Sequence, residues 1–297
     1  MPSQTASGKG FEYALAAEVS SAFGVDILGD AQVAARNAYI SLADDEQAER
    51  RSAARAALSF LSQRERRLIN GNVAAVKMQP DSVARQGDVR DLVVVTSDGV
   101  GFGISAKNRN TAIRNSRLSH RIDFGDEWFG TPCSATYHEA KQPIFDFLEP
   151  LENQNVFWRD LPDKLDRVYL PLMRAFIDET VRIFETQPNQ STKNMMRYML
   201  GTRDYYKIFK QNGDVSVQSF NLDNTLKWGK LLPMPTRLIE LSMKPNSKNT
   251  AYMYLDAGWQ LSFRIHNARS RVERSLKFDI QIIGQPPQLN QQFIQYR

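Results

Sequence analysis

From Phe11 the apolar positions recur at helical spacing: Phe11, Leu15, Val19 and Phe23, with alanines filling the turns and Gly24 as a C-cap. The ten residues before them are small, polar and glycine-bearing, and read as a disordered N-terminus, 1–10. Residues 31–68 are dense in Ala, Arg and Glu and read as helical, with a solvated charged face. Arg64, Arg66 and Arg67 are the exception if that helix end faces a phosphate. The texture changes at 87–107. Leu92 to Val95 is a β-branched run, Ser97-Asp98-Gly99 supplies a turn, and Val100 to Ala106 alternates, predicting two strands of a hairpin. Residues 140–186 return to helical periodicity, broken at Pro150, Pro162 and Pro171, and 187–195 reads as a loop and a subdomain boundary. Beyond Asp204 the chain is strand-like. Short runs at 205–209, 215–220, 237–243, 250–255, 259–266 and 276–283 are separated by turns such as Asn212-Gly213. The expected fold is α/β (α+β), a mixed sheet flanked by helices with a helical middle segment and a β-rich C-terminal region. The expected division is 11–190 for a core with a helical insertion and 191–297 for the β-rich region.

Composition narrows the class. With 297 residues, 42% hydrophobic and 24% charged, the chain reads as an ordinary globular protein. Its single cysteine, Cys133, rules out an internal disulfide framework or a multi-cysteine zinc site and suits a reducing cytoplasm. No signal peptide is expected from the N-terminal residues, and no stretch approaches the roughly 18 apolar residues that span a bilayer. The net charge of +5 permits a polyanionic partner without demanding one. Its location says more: from Thr236 to Arg297 nine basic residues face four acidic ones.

Asp91 and Lys107 form the strongest chemical constellation. An acid at the start of one strand and a lysine on the next resembles the PD-(D/E)XK nuclease core. Cleaving a phosphodiester calls for a hard cation such as Mg²⁺ on carboxylate oxygen, with a lysine to orient water or offset charge at phosphorus. Strand alternation puts Ser105 and Lys107 on one face. The residue two before the lysine is generally acidic in that core. Here it is Ser105, so a second acid must come from elsewhere: Glu12, which is preferred, Glu18 or Asp88. A salt-bridged or merely exposed Asp–Lys pair is the competing reading. The glycines of GVGFG (99–103) match no phosphate-loop pattern and read as turn and close-packing residues. Cys133 with His138 is a weak nucleophile candidate beside a plain buried thiol.

Two further segments suit a polyanion. Residues 258–279 carry Arg264, His266, Asn267, Arg269, Arg271, Arg274 and Lys277 with interleaved aromatics, and 107–130 carry Asn108, Arg109, Asn110, Arg114, Asn115, Arg117 and Arg121. Arginine and asparagine can pair with base edges and lysine with phosphate. The competing readings are a solvated basic strand face and a capped surface helix.

These segments together resemble HaeIII-type type II restriction endonucleases. The resemblance rests on GDVRD (87–91), GFGISAKNRNTAIRNSRLSHRIDFGDEWFG (101–130) and GWQLSFRIHNARSRVERSLKFDIQIIGQP (258–286), with FNLDNTL (220–226) and LPMPTRLIEL (232–241) adding support. It runs from about residue 11 to 286, and in that family a serine before the x-Lys is tolerated. The resemblance implies Mg²⁺-dependent hydrolysis of double-stranded DNA to 5′-phosphate and 3′-hydroxyl ends at a short palindrome, GGCC in the namesake. Asp91 would ligate the metal, Lys107 would position water as a base or stabilise charge, and Glu12 would be the second acid. Base readout would fall to the Arg264–Arg271 segment, Lys277 and the stretch from Asn108 to Arg117. A palindrome implies two symmetry-related copies, and a cognate DNA methyltransferase is implied as host protection. The alternatives are a non-catalytic sequence-specific DNA-binding protein and a repair or structure-specific nuclease of the same superfamily.

Overall fold

In chain order the elements begin with helix α1 (Gln4–Phe23), β1 (Asp26–Leu28), α2 (Ala31–Ile40), α3 (Asp44–Ser62) and α4 (Arg66–Ile69). Strands β2 (Val73–Met78), β3 (Leu92–Thr96), β4 (Phe102–Asn108) and β5 (Arg114–Ser119) follow. Next come α5 (Phe124–Phe129), α6 (Ala135–Asn153), α7 (Leu170–Thr186) and α8 (Pro188–Leu200). The chain ends with β6 (Tyr205–Lys210), β7 (Asp214–Phe220), β8 (Leu238–Met243), β9 (Thr250–Leu255), β10 (Gln260–His266), β11 (Ser275–Gly284) and β12 (Gln291–Gln295). This computed structural model describes residues 4–109 and 112–296. The fold is mixed α+β. Among the described residues no helix is long and apolar enough to cross a membrane.

The first compact unit comprises the described residues of Met1–Thr111, Gly201–Pro233 and Pro287–Arg297. Its sheet runs β1-β2-β3-β4-β6-β7-β12. The β3–β4 hairpin turns at Asp98-Gly99, where Asp98 Oδ1 accepts from Val100 N at 3.0 Å and Gly99 takes the left-handed φ of 77°. That turn sets Leu92 opposite Ile104 and Val94 opposite Phe102. Strand β6 then lies parallel to β4, with Ser105 beside Lys207. Phe11, Leu15 and Val19 of α1 and Ala53, Ala57 and Leu61 of α3 pack with Val76, Leu92, Val94, Ile104, Ala106 and Ile208 in one core. The four-residue spacing read from the sequence therefore marks the buried stripe of α1.

The second unit comprises Ala112–Leu200 and Met234–Pro286. Its sheet runs β5-β11-β10-β9-β8 and every strand pair in it is antiparallel. Leu261, Phe263 and Ile265 of β10 and Leu276, Phe278 and Ile280 of β11 are fully buried. They meet an aromatic core in which Trp128 stacks on Tyr198 at 5.4 Å and Phe176 packs on Phe278 at 4.9 Å. The alternate positions, Ser262, Arg264, His266, Lys277, Asp279 and Gln281, therefore take the opposite, polar face.

Several expectations are corrected. Residues 4–10 are helical, because tertiary contacts override weak local propensity: Ser7 Oγ receives Arg50 Nη2 at 2.8 Å and Asn108 Nδ2 at 2.7 Å. The basic stretch read as a surface helix contains strand β5. Its alternation was masked because inward Ser116 is polar, its hydroxyl satisfied by Tyr198 Oη at 2.6 Å. Residues 187–195 are not a loop boundary but the start of α8. Pro188 opens it, where a missing N–H costs nothing, and Met195, Met196 and Met199 are buried. Pro150 lies inside α6, whose buried Ile144, Phe145 and Leu148 offset the roughly 3 kcal/mol that a proline costs a helix interior. Both compact units are built from separate stretches of the chain. Strands β1, β2 and β12 were missed, being short, alanine-bearing or polar.

Glu65 is the buried charge of the first unit. Fully enclosed, it accepts from Arg67 Nε at 2.8 Å and Nη2 at 2.9 Å, from Tyr206 Oη at 2.8 Å and from Lys227 N at 3.0 Å. Burial is the largest single influence and pushes its carboxyl up. The donors from Arg67, Lys227 and Tyr206 together outweigh it and hold the group below the usual carboxylate range. Glu65→Ala is expected to lower stability by about 3–5 kcal/mol at pH 7, as for other buried pairs stripped of one partner. Because the folded value is depressed, that contribution is present above the unfolded value of about 4.3 and fades as pH falls through the folded one. Urea unfolding at pH 7 and pH 3 checks both points: the gap between wild type and variant must shrink at the lower pH.

Candidate functional site

Asp91 stands immediately before β3, pinned by its backbone on both sides. Its N–H donates to Ile104 O and its C=O accepts from Gln79 N, each at 2.9 Å. The hairpin register then delivers three consecutive residues of β4 to one carboxylate oxygen. Asp91 Oδ2 accepts from Ser105 Oγ at 3.1 Å, Ala106 N at 2.7 Å and Lys107 Nζ at 3.1 Å. Ser105 is buried, whereas the Asp91 and Lys107 side chains remain 21% and 30% exposed, so the pair can meet a ligand.

The three candidate second acids separate cleanly. Asp88 is gripped by Arg90, with Nη2 at 2.6 Å and Nε at 2.7 Å, and receives Gln79 Nε2 at 3.1 Å. Burial raises its carboxyl most, but the Arg90 and Gln79 hydrogen bonds win and hold it low. The absent Cβ of Gly103 makes room for the Arg90 stem, so that glycine is a close-packing residue. Glu18 is tied to Arg55 at 2.9 Å. Glu12, on α1, lies in the field of Asp91. Burial first, and then the Asp91 charge, push its carboxyl up to about 7, against the pull of Lys9 and Lys107. Burial acts to lower Lys107, yet the negative charges of Asp91 and Glu12 carry it above its ordinary value, so it is held as an ammonium.

A carboxylate lifted by burial and by the charge of a neighbouring carboxylate marks a site short of positive charge. Their hard oxygens fit a hard divalent cation. Among the described residues no set of three or more His, Cys, Asp or Glu could hold a metal. Asp91 and Glu12 would therefore be the protein's carboxylate share, which suits an ion such as Mg²⁺ that keeps several waters. A residue the sequence reading missed stands beside them. Lys207, 5% exposed, is the β6 neighbour of Ser105, and burial first, then the Lys107 charge, push it down to about 7. The signal was a lone lysine inside the apolar run Tyr205–Phe209. Cys133 is no nucleophile: burial and its contact with Asp123 push the thiol up.

A model of the HaeIII restriction endonuclease family matches residues 8–286. The chain belongs to the HaeIII restriction endonuclease family. The type II restriction enzyme HaeIII of Haemophilus aegyptius is 38% identical to it over 262 residues, covering 84% of this chain and 82% of that enzyme. No solved structure matches it. The activity is accordingly that of a site-specific deoxyribonuclease acting on double-stranded DNA, and type II restriction endonucleases generally use a divalent metal.

In this member of the HaeIII family the expected DNA-contacting residues fall into groups. Asn108 is committed to Ser7, and Arg109 is exposed in the left-handed region at φ 56°. Asn110 lies outside the described residues. Arg114 stacks on Tyr198 at 4.4 Å, on the face of β5 opposite Arg117. Arg117 donates to Ser275 O at 3.2 Å and pairs with Glu273 at 3.5 Å. In the β10–β11 connection Asn267 donates to Arg269 O at 2.6 Å, and Arg271 donates to Asn155 O at 2.7 Å while covering Phe157. Arg269 is mostly exposed, 3.9 Å from Glu273. Arg264, His266 and Lys277 share the outer face of the second sheet.

Ser105 and Lys107 bond the same oxygen but differ in consequence. Ser105→Ala removes one hydrogen bond to a carboxylate, a loss of about 1.5–3 kcal/mol in holding Asp91, so single-turnover DNA cleavage should fall by about ten- to a hundredfold. Lys107→Ala removes the ammonium itself and should cost about a thousandfold. Quench-flow cleavage at saturating enzyme compares the two.

Proposed function

We propose that the chain is a Mg²⁺-dependent type II restriction endonuclease that cuts double-stranded DNA at a short G+C palindrome of the GGCC kind, leaving 5′-phosphates. The observation that carries this reading is the convergence of Ser105, Ala106 and Lys107 on Asp91 Oδ2, with the Glu12 carboxylate in its field. Asp91 and Glu12 would hold the metal. When bound, the ion supplies charge neutralisation at the scissile phosphate and a more acidic water. The remaining work belongs to the chain. Ala106 N and Ser105 Oγ fix the orientation of Asp91, so the carboxylate is set before substrate arrives. Lys107, kept protonated beside Asp91, acts as a donor and stabilises the negative charge that builds on the phosphate oxygens. It orients the attacking water by donation and is not the base.

Binding would rest on Arg117, Arg264, His266, Arg269 and Lys277, with Arg109 on the open end of β4. A palindrome is matched by two copies related by a two-fold axis. The compartment would be the cytoplasm, where a cognate DNA methyltransferase protects host sites. Plasmid DNA incubated with Mg²⁺ should give discrete fragments whose sequenced ends share one palindrome. Chelation should abolish them, and Asp91→Ala should slow cutting at least a thousandfold. Ends at unrelated sequences would point to a structure-directed or non-specific nuclease, and intact DNA to binding without catalysis. Sedimentation on a single-site duplex should show two copies.

A further inference from the structure

The outer face of the second sheet carries an array that the count of basic residues concealed. Antiparallel register sets Arg264, Asp279 and Asn115 in one row across β10, β11 and β5, and His266, Lys277 and Arg117 in the next. One carboxylate lies amid these cations. Asp279 Oδ2 is 2.8 Å from His266 Nε2 and 3.4 Å from Arg264 Nη2, and Oδ1 is 3.1 Å from Lys277 Nζ. The His266 ring is held at both ends, since its Nδ1 lies 2.9 Å from Asn267 O. The ring is thus oriented by Asp279 on one side and by a backbone carbonyl on the other. The cluster gathers two cations, Arg264 and Lys277, and the His266 imidazole on one carboxylate. Asp279 is 15% exposed in its side chain, whereas Arg264 is 57% exposed and its guanidinium reaches outward.

A carboxylate on a surface meant for phosphates repels the ligand, so its presence calls for another purpose. Long basic side chains lose conformational freedom when they are fixed against DNA. A shared anion fixes them beforehand. It also draws together strands β10, through Arg264 and His266, and β11, through Lys277 and Asp279. We propose that Asp279 is a positioning residue, gathering Arg264, His266 and Lys277 into one preorganised array that grips duplex DNA at the recognised sequence. The proposal rests on the assignment of this sheet face to DNA.

The test separates positioning from charge. Binding of the full chain is measured by fluorescence anisotropy with divalent cations chelated. Two duplexes serve as probes: one bears the sequence at which the wild-type protein cuts plasmid DNA, and the other is a scramble of the same composition. Asp279→Asn removes a negative charge, so affinity for the scramble should hold or rise, while affinity for the cut sequence should fall at least tenfold. Asp279→Glu should restore most of the loss. His266→Gln, which loses the ring held between Asp279 and Asn267 O, should weaken binding to the cut sequence several-fold with unchanged near-ultraviolet circular dichroism, and it decides the matter if Asp279→Asn does not fold. Equal shifts on both duplexes with Asp279→Asn, or no loss with His266→Gln, would overturn the positioning role. If Arg264→Ala and Lys277→Ala weaken binding to neither duplex, the assignment of this face to DNA fails and the proposal fails with it. Weakened binding in those two variants beside an unmoved Asp279→Asn ratio overturns the role of Asp279 alone.

Discussion

The hairpin register between β3 and β4 is the constraint on which the first unit depends. Side chains alternate along a strand, so a slip of one residue would turn every position of β4 to the other face. With Leu92 opposite Ile104, the apolar Phe102, Ile104 and Ala106 join the core beneath α1, while Ser105 and Lys107 stay on the other side. The same register brings Ala106 N within 2.7 Å of Asp91 Oδ2. Core and site are thus specified together. The turn at Asp98-Gly99, with Gly99 in a conformation that favours glycine, fixes both at once.

Charge is handled in opposite ways in the two units. Around Asp91 negative charge is in excess: Glu12 is pushed up by burial and by Asp91, against the pull of Lys9 and Lys107. Such a site gains from a divalent ion. Around Asp279 the excess is positive, with Arg264, Lys277 and the His266 ring gathered on one carboxylate. Such a site gains from a polyanion. Neither arrangement follows from the net charge of +5, which sums 38 basic and 33 acidic residues over the whole chain. Nine basic residues in the last fifth of the chain suggested an open basic surface. Arg274 shows why the count overstates it, since two of the acids that hold it, Glu149 and Glu152, come from a helix far away in sequence.

What was legible in the sequence was whatever local patterning decides. The β3–β4 hairpin and the strands β6 to β11 follow from short apolar or alternating runs bounded by turns, with β10 alternating and β6 buried along its whole length. Strand β5 escaped because its inward Ser116 is satisfied by Tyr198, a partner some eighty residues on, and helix α8 escaped because its polar first turns hide buried Met195 and Met196. The site divided in the same way. Asp91, just before β3, and Lys107, on β4, could be paired from spacing. The second acid stayed open among Glu12, which was preferred, Glu18 and Asp88, because nearness along the chain is a poor guide to nearness in space. Asp88, three residues from Asp91, is spent on Arg90, whereas Glu12 reaches the site from α1.

The serine that departs from the generic nuclease pattern makes physical sense in this setting. Ser105 is buried, bonded to Asp91 at 3.1 Å and set beside Lys207 on β6. A carboxylate in its place would be a second buried negative group against the same Asp91 oxygen, adding to the repulsion that already lifts Glu12. A hydroxyl donates where a carboxylate would repel, and so it steadies Asp91 without adding charge. The acid that the pattern would have drawn from β4 is then supplied by α1, whose apolar stripe of Phe11, Leu15 and Val19 anchors Glu12 one residue from the core. In this chain the helix that closes the hydrophobic core also carries the carboxylate that completes the proposed site.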